Sequence, residues 1–219
     1  MAHQEPMGPI KRVLDRWLRA VTEHLPEPLG RRIIFLLIQH QIPHFTHPVS
    51  FSEKINWRLL NDRREVIRTS CDKLVTKDKA KALGYAVPDT VWVGTDVREL
   101  GSLRLPTHWV LKPNHGSGLT YFGAGQVIDM AQLEADTAGW IEQARHAQRG
   151  EWAYSHAKQV LLVEEMLEDG GGPPPDYKFF VFDGKPVVAC KDESRFSRHT
   201  RRVNYLYLVP LDVQYVGGW

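Results

Sequence analysis

The sequence predicts an α+β protein, with an all-helical amino-terminal region ahead of mixed, mostly antiparallel sheet. Three observations predict it. Before position 70, apolar residues recur at helical spacing. Beyond it, short branched or aromatic runs alternate with turns rich in Gly, Pro and Asp. Near the end, two strand-like runs are joined by Asp183-Gly184. That dipeptide marks a tight hairpin, because both central residues of such a turn prefer positive φ.

The elements follow in order. After Pro9, Ile10, Val13, Leu14, Trp17, Leu18 and Val21 fall on one helix face. Pro26 and Pro28 are expected to break that segment, and a second helix over residues 29–41 stops before Pro43. Its apolar run at 33–38 is flanked by Arg31, Arg32 and His40, so it reads as a buried helix with polar ends, with a membrane-surface helix as the alternative. A third helix starts at Ser50 or Ser52, where hydroxyls can cap it ahead of Ile55, Trp57, Leu59 and Leu60. A Lys-rich helix over 71–83 ends at Gly84. Strands are expected at 90–93, 109–112, 120–127 and 159–164, with one helix from Met130 to about residue 147 between them. The GGGPPP stretch at 170–175 is a loop, and 177–182 and 185–190 form the hairpin. A last strand spans 203–209.

Composition narrows the function classes. A length of 219 residues suits one or two domains with a sizeable core. The net charge of +2 creates no field that would announce nucleic acid. Two cysteines, Cys71 and Cys190, cannot build a disulfide framework, which points to a reducing, cytoplasmic setting. The longest apolar run is six residues, against the roughly 20 needed to span a bilayer. No transmembrane segment is expected.

The segment with most chemistry is Trp109-Val-Leu-Lys-Pro-Asn-His-Gly-Ser-Gly118. It sets one fixed cation, Lys112, beside backbone N–H groups of a Gly-containing loop, an arrangement suited to polyphosphate. It is not a Walker A loop, and a Gly/Ser loop after a strand is also an ordinary surface turn. His115, inside it, is either a phosphate contact or a spectator. Glu164 and Glu165 close an apolar strand. They read as a solvated edge, or as a linker that binds a purine by its backbone and a ribose by a carboxylate. Lys73, Lys77, Lys79 and Lys81 read as a solvated helix face, and Lys178, Lys185 and Lys191 as decoration of the hairpin. His44 and His47 sit between prolines and make no metal site, and Cys71 has no catalytic context. Arg195, Arg198, Arg201 and Arg202 are a basic cluster that serves an anion or merely a loop.

Taken in order, several blocks carry a resemblance. Residues 48–57 (PVSFSEKINW), Asn61-Asp62-Arg63, Asp72-Lys73, residues 110–118, Val163-Glu164-Glu165, Asp176-Tyr-Lys178-Phe179 and residues 182–186 (FDGKP) resemble the TupA-like ATP-grasp family over about residues 45–190. The resemblance implies two α+β subdomains that clamp ATP between antiparallel sheets, behind a helical region. It divides the chain into a helical part (1–70), a first subdomain with the phosphate loop (71–168) and the start of a second (169–219). It implies that Lys73 and Lys112 hold ATP phosphates and that Gly116, Ser117 and Gly118 form the loop closing over them, with His115 a further cofactor-binding candidate beside it. Glu164, Glu165 and Leu167 would be the adenine hinge, and Lys178 would face ribose or phosphate. The activity implied is a carboxylate–amine ligase working through an acyl phosphate. Its substrates would be a small-molecule or glycan-linked carboxylate and an amine, in cell-surface polysaccharide or peptide-conjugate synthesis. Mg²⁺ is expected for the family, but its carboxylates lie in a later strand pair, and nothing like that block precedes Trp219. The C-terminal part of the fold is therefore expected to be missing. A truncated or inactive nucleotide-binding scaffold is the alternative. A glycosyltransferase-associated role is a further one, although Asp72, Asp78 and Asp89 lack Asp-x-Asp spacing.

Overall fold

The structure is a computed structural model and describes residues 22, 24–142, 151–168, 174–182, 184–192 and 203–207. The expected helix over 10–21 lies outside the described residues, as do Asp183, residues 169–173 of the GGGPPP loop, the Arg195–Arg202 cluster and residues 208–219. The chain divides into two compact units, Met1–Glu165 and Met166–Trp219.

Among the described residues, the first unit opens with four helices from Glu27 onward. Helix α1 is Glu27–Gln39, with Pro26 as its N-cap residue and Pro28 in its first turn. The two prolines therefore start this helix, since a first-turn proline lacks only an N–H that no carbonyl would have accepted. Its expected burial is also corrected. Only Gly30, Arg31 and Phe35 are buried, and Leu36, Leu37 and Ile38 are 45%, 45% and 66% exposed. Arg31 is buried because Glu27 and Asn56 both accept from its guanidinium. Helix α2, Phe51–Asn61, begins at Ser50 in a reciprocal capping box with Glu53. Glu53 also accepts from the backbone N–H groups of His44 (2.8 Å) and Val49 (3.0 Å). These backbone donors, His44 first, hold the Glu53 carboxyl at about 2. Helix α3 is Glu65–Ser70, and α4 is Lys73–Ala82, capped by Asp72 and followed by Gly84 at φ +82°.

Strands β1 (Thr90–Gly94), β2 (His108–Pro113), β3 (Tyr121–Ala124) and β4 (Leu161–Glu165) form an antiparallel sheet in the order β1-β4-β2-β3. Alternation along the strands separates two faces. Trp109, Leu111, Leu161 and Val163 turn to one face and bury against Val97, Leu100, Leu105, Leu133 and Trp140. Gly123 is the residue this core demands: a Cβ there would sit 2.1 Å from the Trp109 indole. Helix α5, Met130–Thr137, contributes Leu133 and ends earlier than the sequence predicts, with Gly139 at φ +73° just beyond it. A 3-10 turn, Trp152–His156, packs near α3 and leads into β4.

The second unit is an antiparallel sheet of β5 (Asp176–Phe182), β6 (Lys185–Asp192) and β7 (Val203–Tyr207), in that order. The expected hairpin is present, with Gly184 at φ +75°.

Candidate functional site

The face of the first sheet opposite the core carries Val110, Lys112, Leu162 and Glu164. Lys112 pairs in register with Leu162, which puts Glu164 one diagonal step along the neighbouring strand. That separation, about 7–8 Å between Cα atoms, is within reach of a lysine. The Lys112 ammonium does contact Glu164 Oε2. Thr90 lies directly opposite Glu164 on β1.

Helix α4 brings the other cations. Lys73 and Lys77 are four residues apart and so share one helix face. The Lys77 ammonium lies 2.6 Å from Glu164 Oε1 and 2.6 Å from the Thr90 hydroxyl. One buried carboxylate thus carries two ammonium groups. Such a cluster is tightly coupled, because removing one partner from a buried pair costs roughly 3–5 kcal/mol. The sequence reading of Lys77 as a solvated residue is corrected: its side chain is 12% exposed. The four-residue spacing from Lys73 was the available signal. Lys79 does face outward, donating to Thr69 on an exposed surface.

Lys73 occupies the first position of α4, where a cation opposes the helix dipole. It donates to the carbonyls of Pro113 (2.6 Å), Asn114 (3.1 Å) and Gly116. Burial, and then the nearby Lys112 cation, bring its ammonium down to about 8, against the pull of Glu164 and Asp72. Two buried side chains fix this arrangement. Asp72 accepts from Val75 N and Lys158 N, each at 3.0 Å. Asn114 accepts from Leu74 N at 3.0 Å and donates to Lys158 O at 2.9 Å. The helix start, the end of β2 and the approach to β4 are therefore tied at one point.

The loop beyond β2 is the expected glycine loop. Gly118 sits at φ +78°, a conformation that a side chain would strain. Ser117 shares a hydrogen bond with the half-buried Tyr154. His115 is buried, its Nε2 2.9 Å from Ile141 O, so it ties the loop to the chain beyond α5. Cys71 is adjacent, and burial pushes its thiol up, away from the nucleophilic thiolate.

Lys73, Lys112 and the loop are thus brought together, and Glu164 joins them as their counter-charge. Glu165 is exposed, its N–H donating to Asp89 O at 3.0 Å. Leu167 and Lys178 belong to the second unit. Leu167 is 54% exposed. Lys178 lies 3.1 Å from Asp176 and 3.9 Å from the fully buried Asp192. A cavity of about 390 Å³, lined by Asp96, Arg98, Glu134, Trp140 and Leu161, lies against the core face. Arg98 is already paired with Asp96 at 2.7 Å there. Among the described residues, no three His, Cys, Asp or Glu side chains gather to hold a metal ion, and no helix is long and apolar enough to cross a membrane.

Chemically, the arrangement can neutralise a polyanion. Three ammonium groups stand against Glu164 and Asp72, and Asp72 is already engaged by backbone N–H groups. No curated protein and no solved structure matches the chain. A family match does cover residues 53–207, which include α4, the glycine loop and β4. The chain is an ATP-grasp, ATP-binding protein with α+β architecture, and it belongs to the TupA-like ATPgrasp family.

Proposed function

We propose that Lys73 and Lys112 receive the phosphates of ATP beside the loop at 116–118, and that the chain acts as a carboxylate–amine ligase. The observation that carries this reading is the surplus of positive charge on the polar face of the first sheet, next to a glycine loop. Phosphoryl transfer needs charge neutralisation and alignment more than an acid or base. Fixed lysines are suited to that task. Adenine would lie along the strand end, with Glu165 and Leu167 offering backbone groups, since the Glu164 carboxylate is occupied by two lysines. Lys178 would face ribose or phosphate only as a weak contact, since Asp176 and Asp192 already share its charge. His115 acts from beneath, holding the loop rather than the nucleotide.

The γ-phosphoryl passes to a carboxylate oxygen, giving an acyl phosphate and ADP; an amine then displaces phosphate to form an amide. The substrates would be a small-molecule or glycan-linked acid and an amine, in polysaccharide or peptide-conjugate synthesis at the cell surface. The family implies Mg²⁺. The described residues offer no ligand set for it.

Hydroxylamine tests the reading, because it intercepts an acyl phosphate as a hydroxamate and releases phosphate. Hydroxamate that requires both ATP and a carboxylic acid is the expected result. ATP binding without hydroxamate from any acid in a broad panel would favour a nucleotide-binding scaffold instead.

A further inference from the structure

We propose that Lys77 is a positioning residue that keeps Lys112 exchangeable. By holding one oxygen of Glu164, it weakens the grip of the other on Lys112, so that a phosphate can take Lys112 over. The inference rests on the reading of Lys112 as a phosphate ligand.

Three observations support it. The Lys77 ammonium is nearly buried, and it sits 2.6 Å from both Glu164 Oε1 and the Thr90 hydroxyl. Glu164 is itself buried, and its second oxygen holds Lys112. Thr90 is Glu164's register partner, so its hydroxyl fixes the approach of Lys77 from the same strand pair. A carboxylate has one negative charge to share. An ammonium on one oxygen lowers what the other can offer. Without Lys77 the whole charge of a buried carboxylate would fall to Lys112, in surroundings that screen it poorly. An incoming phosphate would then compete with an intramolecular anion already in place. With Lys77 present, Lys112 is oriented along the sheet face and its charge is only partly used.

The test is pulsed acetylation of the nucleotide-free protein with N-hydroxysuccinimide acetate, read by mass spectrometry, with exposed Lys185 as internal reference. The reagent attacks the neutral amine, which an undivided carboxylate disfavours. Lys77→Met is therefore expected to slow acetylation of Lys112 by roughly threefold or more and to weaken ATP binding about tenfold. Lys77→Arg should restore both. A merely structural role predicts the opposite sign, since loosened packing would expose Lys112 and speed its acetylation. Unchanged or faster acetylation of Lys112 in folded Lys77→Met overturns the proposal. Should circular dichroism show that Lys77→Met is unfolded, Lys77→Gln decides. It keeps a hydrogen-bond donor toward Glu164 and Thr90 but loses the charge, so it is expected to slow acetylation of Lys112 by about twofold or more, and no slowing there overturns the proposal equally. Because the acetylation is done without nucleotide, failure of the wild type to bind ATP would sink the functional reading while the labelling still judges Lys77.

Discussion

The two antiparallel sheets each carry a lysine–carboxylate cluster, and among the described residues the clusters are built in opposite proportions. On the first sheet, Lys77 and Lys112 share the single carboxylate of Glu164, and Lys73 stands close by on carbonyl oxygens. On the second, Lys178 lies between two carboxylates, Asp176 and the buried Asp192, which face each other across β5 and β6. The first cluster therefore has positive charge left over for an anion. The second has already spent its lysine. Similar residue types do different things because the number of carboxylates within reach differs. A lysine's value to a phosphate depends on what already neutralises it.

The largest effect expected from this contrast is on Lys112. Lys112→Ala should remove a charge-assisted contact of roughly 1.5–3 kcal/mol, weakening ATP about ten- to a hundredfold by calorimetry. A smaller, pH-dependent effect belongs to Lys73. Its ammonium is brought down to about 8 in the folded chain, so above that pH it is increasingly neutral until a phosphate restores its proton. ATP affinity should fall as pH rises past 8, with proton uptake on binding. The uptake would be read from titrations in buffers of different ionisation enthalpy and should vanish in Lys73→Met. The same shift makes the charged lysine a burden on the fold, so its contribution to stability improves as pH rises from about 8 towards 10.5.

Glu53 separates fold from site. It serves backbone donors, whereas Glu164 serves cations. Glu53→Ala should cost about 1–2 kcal/mol in denaturant unfolding and leave ATP affinity where it was. With a folded value of about 2 against the usual 4.5, its support is complete above pH 4.5 and is lost as pH falls towards 2. The smallest effect is reserved for Lys178→Ala, less than about threefold on ATP affinity, since a half-exposed pair contributes about 0–1 kcal/mol. A larger loss would break the comparison.

Much of the fold was legible in the sequence because its signals are local. Ser50 and Glu53 spell a capping box, Asp72 and Gly84 bracket α4, and the Gly184 turn announces the hairpin. What escaped depends on packing. The apolar run of α1 gave no hint that Leu36, Leu37 and Ile38 would stay open, because periodicity records a helix face but not what covers it. Pro26 and Pro28, expected to interrupt the preceding segment, also stand at the start of α1. Lys112 and the glycine loop stood out at once. Lys77 did not, since its partner lies 87 residues away and only the sheet register brings the two together. The two lysine partners of Glu164 are equally invisible in sequence.

The central claim is that surplus positive charge on the first sheet takes the nucleotide by its phosphates. Titrating the protein with adenosine, AMP, ADP and ATP at one ionic strength, in wild type and in Lys112→Ala, tests it most directly. Affinity should climb with each phosphate, fall steeply with salt, and climb much less in the variant. Adenosine binding as tightly as ATP, or an unchanged climb in Lys112→Ala, would contradict it.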